Sequence, residues 1–173
     1  MHDNLHGRRR FRIDQIPVHR LHLEIVGAGR QVLVLDAAFA EEHALEVQLP
    51  FLQRTLGEFT LVPLIVGDAG AADVERVIEA LHDDETLIVV SSDLSHYLDY
   101  DTARAQDAAT CRRIEHFDTA IAHDDACGAT PLRVLLLAAK RRGMQVTTLD
   151  LKSSGDTAGA RDFVVGYGAW MFA

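Results

Sequence analysis

Apolar positions recur along this chain in two rhythms. Val74, Val77, Ile78 and Leu81 share one helical stripe, which predicts a helix over Ala71–Leu81 with Asp73 as its cap. A more polar helix is predicted over Asp101–Phe117, with a stripe of Ala105, Ala108, Ala109, Cys111 and Ile114. Thr130–Lys140 is predicted as a third: Thr130-Pro131 suits a helix start, and Leu132, Leu135, Leu136 and Ala139 mark a buried face. An earlier helix carries His43, Leu45, Glu46, Leu49 and Leu52, and Pro50 either kinks it or stands near its beginning. Asp118–Ala122 reads as a short helix or a frayed end.

The second rhythm is that of strands. Gln31–Leu35, Phe59–Val66, Thr86–Val90, Met144–Leu151 and Phe163–Phe172 are short aliphatic and aromatic runs bounded by turn residues. Thr86–Val90 shows no alternation, the pattern of a strand buried on both faces. Ile13–Val26 fits either a strand or a short helix, closed by Gly27 and Gly29. Strands alternating with helices predict an α/β domain with a central, mostly parallel sheet and helices on both faces, an αβα arrangement. The expected division is a flexible basic leader over residues 1–12 and a single domain over residues 13–173.

Composition adds exclusions. The chain has 173 residues, 48% hydrophobic and 25% charged, as expected for a folded globular protein. A net charge of −9 argues against a nucleic-acid-binding face; the local exception is the crowding of Arg8, Arg9, Arg10 and Arg12 at the amino end. No run reaches the ~18–20 apolar residues of a membrane span, and the amino end lacks the apolar middle of a secretory signal. A cytoplasmic location is the expectation. Two cysteines, Cys111 and Cys127, are too few for a disulfide framework and are expected as free thiols.

Candidate chemistry gathers where the Thr86–Val90 run ends. It gives way to Ser91-Ser92-Asp93-Leu94-Ser95-His96-Tyr97, six of whose seven residues bear polar groups. Ligand chemistry in α/β sheets collects beyond the carboxyl ends of strands, and there Asp93 and His96 would make an acid/base pair. The same residues also suit a solvated loop that caps the next helix. Cys127 falls in a turn just ahead of the Thr130 helix, where the local positive field favours thiolate; a buried structural cysteine is the alternative. His43 and Glu46 lie within helical reach of each other, a spacing shared by metal ligands and by surface pairs. Cys111 reads as a small buried hydrophobe, and His116 and His123 as solvent or boundary residues.

Three segments, EEHALEVQLPFLQ (41–53), SSDLSHY (91–97) and ACGATP (126–131), stand in an order that resembles the Memo family, whose bacterial and archaeal members are called AmmeMemoRadiSam system protein B. The closing VVGYGAW resembles that family's last strand. The likeness runs from about Phe11 to the end. It implies the fold of class III extradiol dioxygenases, in which non-haem iron rests on two histidines and a carboxylate. It implies that Cys127 takes the carboxylate's place and that His96, accompanied by Asp93, matches the pocket histidine. His43 matches the histidine of an EHSxE-type motif, with Ala44 in the position of its serine. The family's PHAGY-type and GPSH-type motifs, each the source of a further metal-site histidine, are not found in this sequence, so the chain resembles a member truncated at its N-terminus.

The implied metal ligands here are therefore Cys127 and His96. A stable Fe or Cu site needs about three protein ligands, so iron or copper, implied for complete members, is expected to bind this chain weakly or not at all. The resemblance implies a vestigial dioxygenase-like pocket with a metal-linked redox role. The alternatives are a non-catalytic peptide- or protein-binding adaptor and an inactive truncated family member. It also implies AMMECR-type and radical-SAM proteins as partners, while missing edge strands would favour a homo-oligomer.

Overall fold

A computed structural model describes residues 48–173 apart from 57, 58, 60, 63, 68, 84, 85 and 158. His43, the basic leader and the Gln31–Leu35 run lie outside the described residues. Within them the chain is a mixed α/β structure. Its helices are α1 (Leu49–Leu56), α2 (Ala71–Leu81), α3 (Tyr100–Glu115) and α4 (Ala129–Arg141), and its strands β1 (His96–Leu98), β2 (Val146–Ser153) and β3 (Val164–Phe172).

Local chemistry accounts for the helix ends. α1 begins beside Pro50, where a missing N–H does no harm, so the proline starts this helix and does not kink it. α2 has the expected bounds, but its cap is Gly70 without a side-chain bond. Asp73 sits instead in the first turn, where negative charge suits the helix dipole, and pairs with Arg76. α3 is capped by Asp99, whose carboxylate accepts the Thr102 amide at 3.1 Å. α4 starts at Gly128 and ends in Lys140 and Arg141, after which Gly143 turns the chain at φ 68°. Asp118–Ala122 forms no helix. It is an irregular stretch that places Ile121 in the core.

The strands form one sheet of order β1-β3-β2, and each pairing is antiparallel. β2 runs against β3 from Val146↔Phe172 to Ser153↔Gly166, with a bulge between Thr148 and Asp150. β1 is short and lies on the other side of β3, at the edge of the sheet among the described strands. The mostly parallel sheet expected from the alternation of elements is not among these pairings. Nor do Thr86–Val90 or Phe59–Val66 join a described ladder. Leu87 is 65% and Val89 49% exposed, so the first of these runs is not buried on both faces as its composition suggests. A β-rich run becomes a strand only where a neighbour takes its N–H and C=O groups, and no described strand does so.

α3 packs on β2 and β3, and α4 packs on α2. The core joins Leu94, Ile114, Ile121, Leu132 and Leu136, with Trp170 and Phe172 against it. Of these, Leu94 does most to place the polar 91–97 segment. It lies inside that segment, is 1% exposed, and pins the loop to the core.

Candidate functional site

Two connections meet at one edge of the core: the loop leading into β1 and the turn leading into α4. The Cys127 amide donates to the Asp93 carbonyl at 3.2 Å, and the Asp93 amide donates to the Cys127 sulfur at 3.3 Å. The Gly128 amide donates to Ser92 Oγ at 2.8 Å, and that hydroxyl lies 3.6 Å from Cys127 Sγ. Glycine is required at 128 because a Cβ there would stand 2.8 Å from the Ser92 Cβ. Cys127 itself is exposed, which removes the buried structural reading, whereas Cys111 is buried on α3 as expected.

Asp93 holds the other half of the arrangement. His96 Nε2 lies 3.7 Å from Asp93 Oδ2, with both side chains partly open to solvent. That is an ion-pair distance for a protonated ring, longer than a hydrogen bond. Asp93 thus touches sulfur through its main chain and faces imidazole through its side chain. The structure brings together three residues that the sequence separates. Tyr97 follows with a left-handed backbone, φ 57°, which swings its ring outward to 72% exposure, 5.9 Å from the His96 ring. Across the sheet, burial pushes the Tyr167 phenol up, and the Asp93 charge adds to the shift. Gln48 donates to Ser91 Oγ at 3.2 Å, so the chain five residues beyond His43 reaches this loop.

Two contributors are not apparent from sequence. His123 is exposed, as expected, but it is engaged: Nδ1 lies 3.3 Å from the Cys127 carbonyl and Nε2 3.3 Å from Thr130 Oγ1. A carbonyl only accepts, so Nδ1 carries the proton, and Arg133 donating to Thr130 Oγ1 at 3.2 Å completes a chain that braces the cysteine turn. The second is Asp107, a buried carboxylate on α3 that accepts the Ser95 amide at 3.0 Å. Burial pushes its carboxyl up, against the opposing effects of the Ser95 hydrogen bonds and the His96 charge.

Among the described residues, Cys127 and His96 supply two of the about three protein donors that a mononuclear iron or copper site takes. Cys127 Sγ already accepts an amide N–H, and among the described residues no three His, Cys, Asp or Glu side chains cluster to hold a metal ion. Nor, among these residues, is any helix long and apolar enough to cross a membrane.

Comparison with known proteins gives one consistent result. A family model described as Memo-like protein matches residues 23–171. A MEMO1 family protein of Metallosphaera sedula is 30% identical over 164 residues, covering 87% of this chain and 58% of the relative. One from Saccharolobus solfataricus is 32% identical over 165 residues, covering 87% and 58%. One from Aquifex aeolicus is 37% identical over 150 residues, covering 79% and 56%. The chain spans a little over half the length of these relatives.

Proposed function

The chain belongs to the Memo-like family, and on that premise we propose that the cleft between Ser91–His96 and Cys127–Gly128 is its reactive site, a vestigial dioxygenase-like pocket with a metal-linked redox role. Cys127 is the thiol that ligates or attacks, His96 the group that moves a proton, and Asp93 the carboxylate that orients it. The observation that carries this reading is the Asp93 amide on the Cys127 sulfur, which holds an exposed thiol beside the Asp93–His96 pair. His43 enters by kinship, supported by the Gln48–Ser91 contact a short way along the chain. Kinship also supports an extradiol-dioxygenase-like αβα sheet for residues 13–173, with Phe59–Val66 and Thr86–Val90 as candidate parallel strands.

Cys127 and His96 are the metal ligands of this reading, and two donors fall short of the about three that a stable Fe or Cu site takes. Weak or absent loading is the proposed behaviour of this chain. Elemental analysis and visible absorption of the purified protein test it: one tightly held iron or copper per chain would overturn it. The redox role is tested with Cys127→Ser and His96→Ala, both of which should abolish any turnover found. Partnership with AMMECR-type and radical-SAM proteins, a cytoplasmic location and self-association are proposed from kinship and from the exposed Leu87 and Val89.

A second reading, a non-catalytic peptide- or protein-binding adaptor, is favoured by the exposed Tyr97 and Tyr167 beside the cleft. Tyrosines supply large amphipathic contact area at interfaces. Partner binding that survives Cys127→Ser and His96→Ala but is lost with Tyr97→Ala would select the adaptor.

A further inference from the structure

Asp107 lies in the middle of α3 and is 3% exposed. Its burial follows helix periodicity, since Ala103, Asp107, Thr110, Cys111 and Ile114 are the residues α3 buries. A carboxylate costs free energy in such a place unless it is hydrogen-bonded. Its Oδ1 accepts the Ser95 amide at 3.0 Å. The Ser95 carbonyl is taken by the Gly166 amide at 2.9 Å, and the Leu94 amide donates to the Gly166 carbonyl at 2.8 Å. Ser95 is therefore gripped through its carbonyl by β3 and through its amide by α3. A Cβ at Gly166 would overlap the Asp107 carboxylate, so glycine there lets strand and acid meet.

The Ser95 hydroxyl is buried and, among the described residues, has no partner beyond the Asp107 carboxylate, on which it acts together with the Ser95 amide, so Asp107 and β3 anchor this residue. His96 comes next, and at Tyr97 the backbone turns into the left-handed region. With a sharp turn on one side, the direction in which His96 leaves β1 depends on how firmly Ser95 is held on the other.

We infer that Asp107 is a positioning residue: by fixing the Ser95 main chain it sets the course of His96 toward Asp93 and keeps the Asp93 amide on the Cys127 sulfur. Its functional meaning rests on the roles proposed for His96 and Cys127.

The test compares Asp107→Asn, Asp107→Ala and Gly166→Ala in the full chain. Two signals are followed below the melting temperature: the His96 ring resonances by NMR and the rate of Cys127 alkylation. Asn keeps an acceptor for Ser95, so Asp107→Asn should preserve both signals. Asp107→Ala and Gly166→Ala should displace the ring resonances and speed alkylation roughly fivefold as one hydrogen bond at the sulfur loosens. The double variant should go no further, because both changes break the same contact. Unchanged signals in Asp107→Ala, with only a lower melting temperature, would reduce Asp107 to a space-filling role and overturn the inference. Should the alanine variants not fold, amide exchange in the unaltered chain decides: slow exchange at Ser95 supports the anchor, and exchange as fast as in an open loop refutes it. Failure of the functional reading looks different, since His96→Ala would then leave turnover intact while the ring still responds to Asp107.

Discussion

The main-chain amide of Asp93 donates to the sulfur of Cys127 at 3.3 Å, across 34 positions of chain. The cysteine turn answers through its own amide, which donates to the Asp93 carbonyl at 3.2 Å. Two connections at the edge of the core are thus joined main chain to main chain. A thiol is left open to solvent at the seam, and an imidazole stands on the far side of the same aspartate.

The two thiols should differ sharply in reactivity. Cys127 is exposed, while Cys111 is buried and lies within 3.6 Å of both Glu115 Oε1 and Thr148 Oγ1. Iodoacetamide on the native protein should modify Cys127 alone, with Cys111 reacting only after denaturation. Peptide mass mapping reads the outcome, and equal labelling of the two would contradict the arrangement.

Gly128→Ala tests how tightly the seam is closed. The added methyl would stand 2.8 Å from the Ser92 Cβ and 3.3 Å from the Ser91 carbonyl oxygen. Overpacking of this kind costs about 1–3 kcal/mol. Urea unfolding should show that loss, with faster alkylation of Cys127 as the loops part. Ser92→Gly in the same chain should restore part of both.

Core position should dominate over chemistry for leucine. Leu136 is fully buried in the cluster between α4 and the sheet, and Leu149 is 60% exposed on β2. Leu136→Ala is expected to cost about 2–5 kcal/mol. Leu149→Ala should stay within about 0.5 kcal/mol, as surface changes usually do. Chemical denaturation of the two variants separates them.

Two aspartates should give opposite pH dependences. The Tyr100 hydroxyl at 2.5 Å and the Ser153 amide at 2.7 Å hold the Asp156 carboxyl below the ordinary range. Its contribution is present above the ordinary carboxylate value and is lost as pH falls through the depressed one. Burial pushes Asp107 the other way. Its contribution is complete below the ordinary value and is lost as pH rises through the raised one. Asp156→Asn should therefore flatten the acid limb of the stability curve. Asp107→Asn should gain on the unaltered chain as pH rises above the ordinary carboxylate range. Urea midpoints measured across pH check both, and a reversed slope in either variant contradicts the assignment.

Much of this is legible in the residue pattern. α2 and α4 are strongly periodic, and their bounds match expectation within about two residues. The neighbourhood of Asp93, His96 and Cys127 is legible through three motifs in order. The rotation of α3 is not. The expected stripe runs through Ala105, which is exposed, whereas the buried one passes through Asp107 and Thr110. Polar residues on a buried face hide its period, and only the spacing from Ala103 to Ile114 betrays it. Thr86–Val90 joins no described ladder, for a different reason. Its side chains suit a strand, but ladder hydrogen bonds depend on neighbours that a local run does not specify.

The Asp93 anchor on sulfur belongs to the backbone, so it does not depend on which side chain stands at that position. Exchanging the carboxylate for an amide or a methyl would change what the imidazole sees and leave the thiol where it is. Placement and tuning are thus separable at this seam: loop geometry governs one, residue identity the other, and each can drift without disturbing its counterpart.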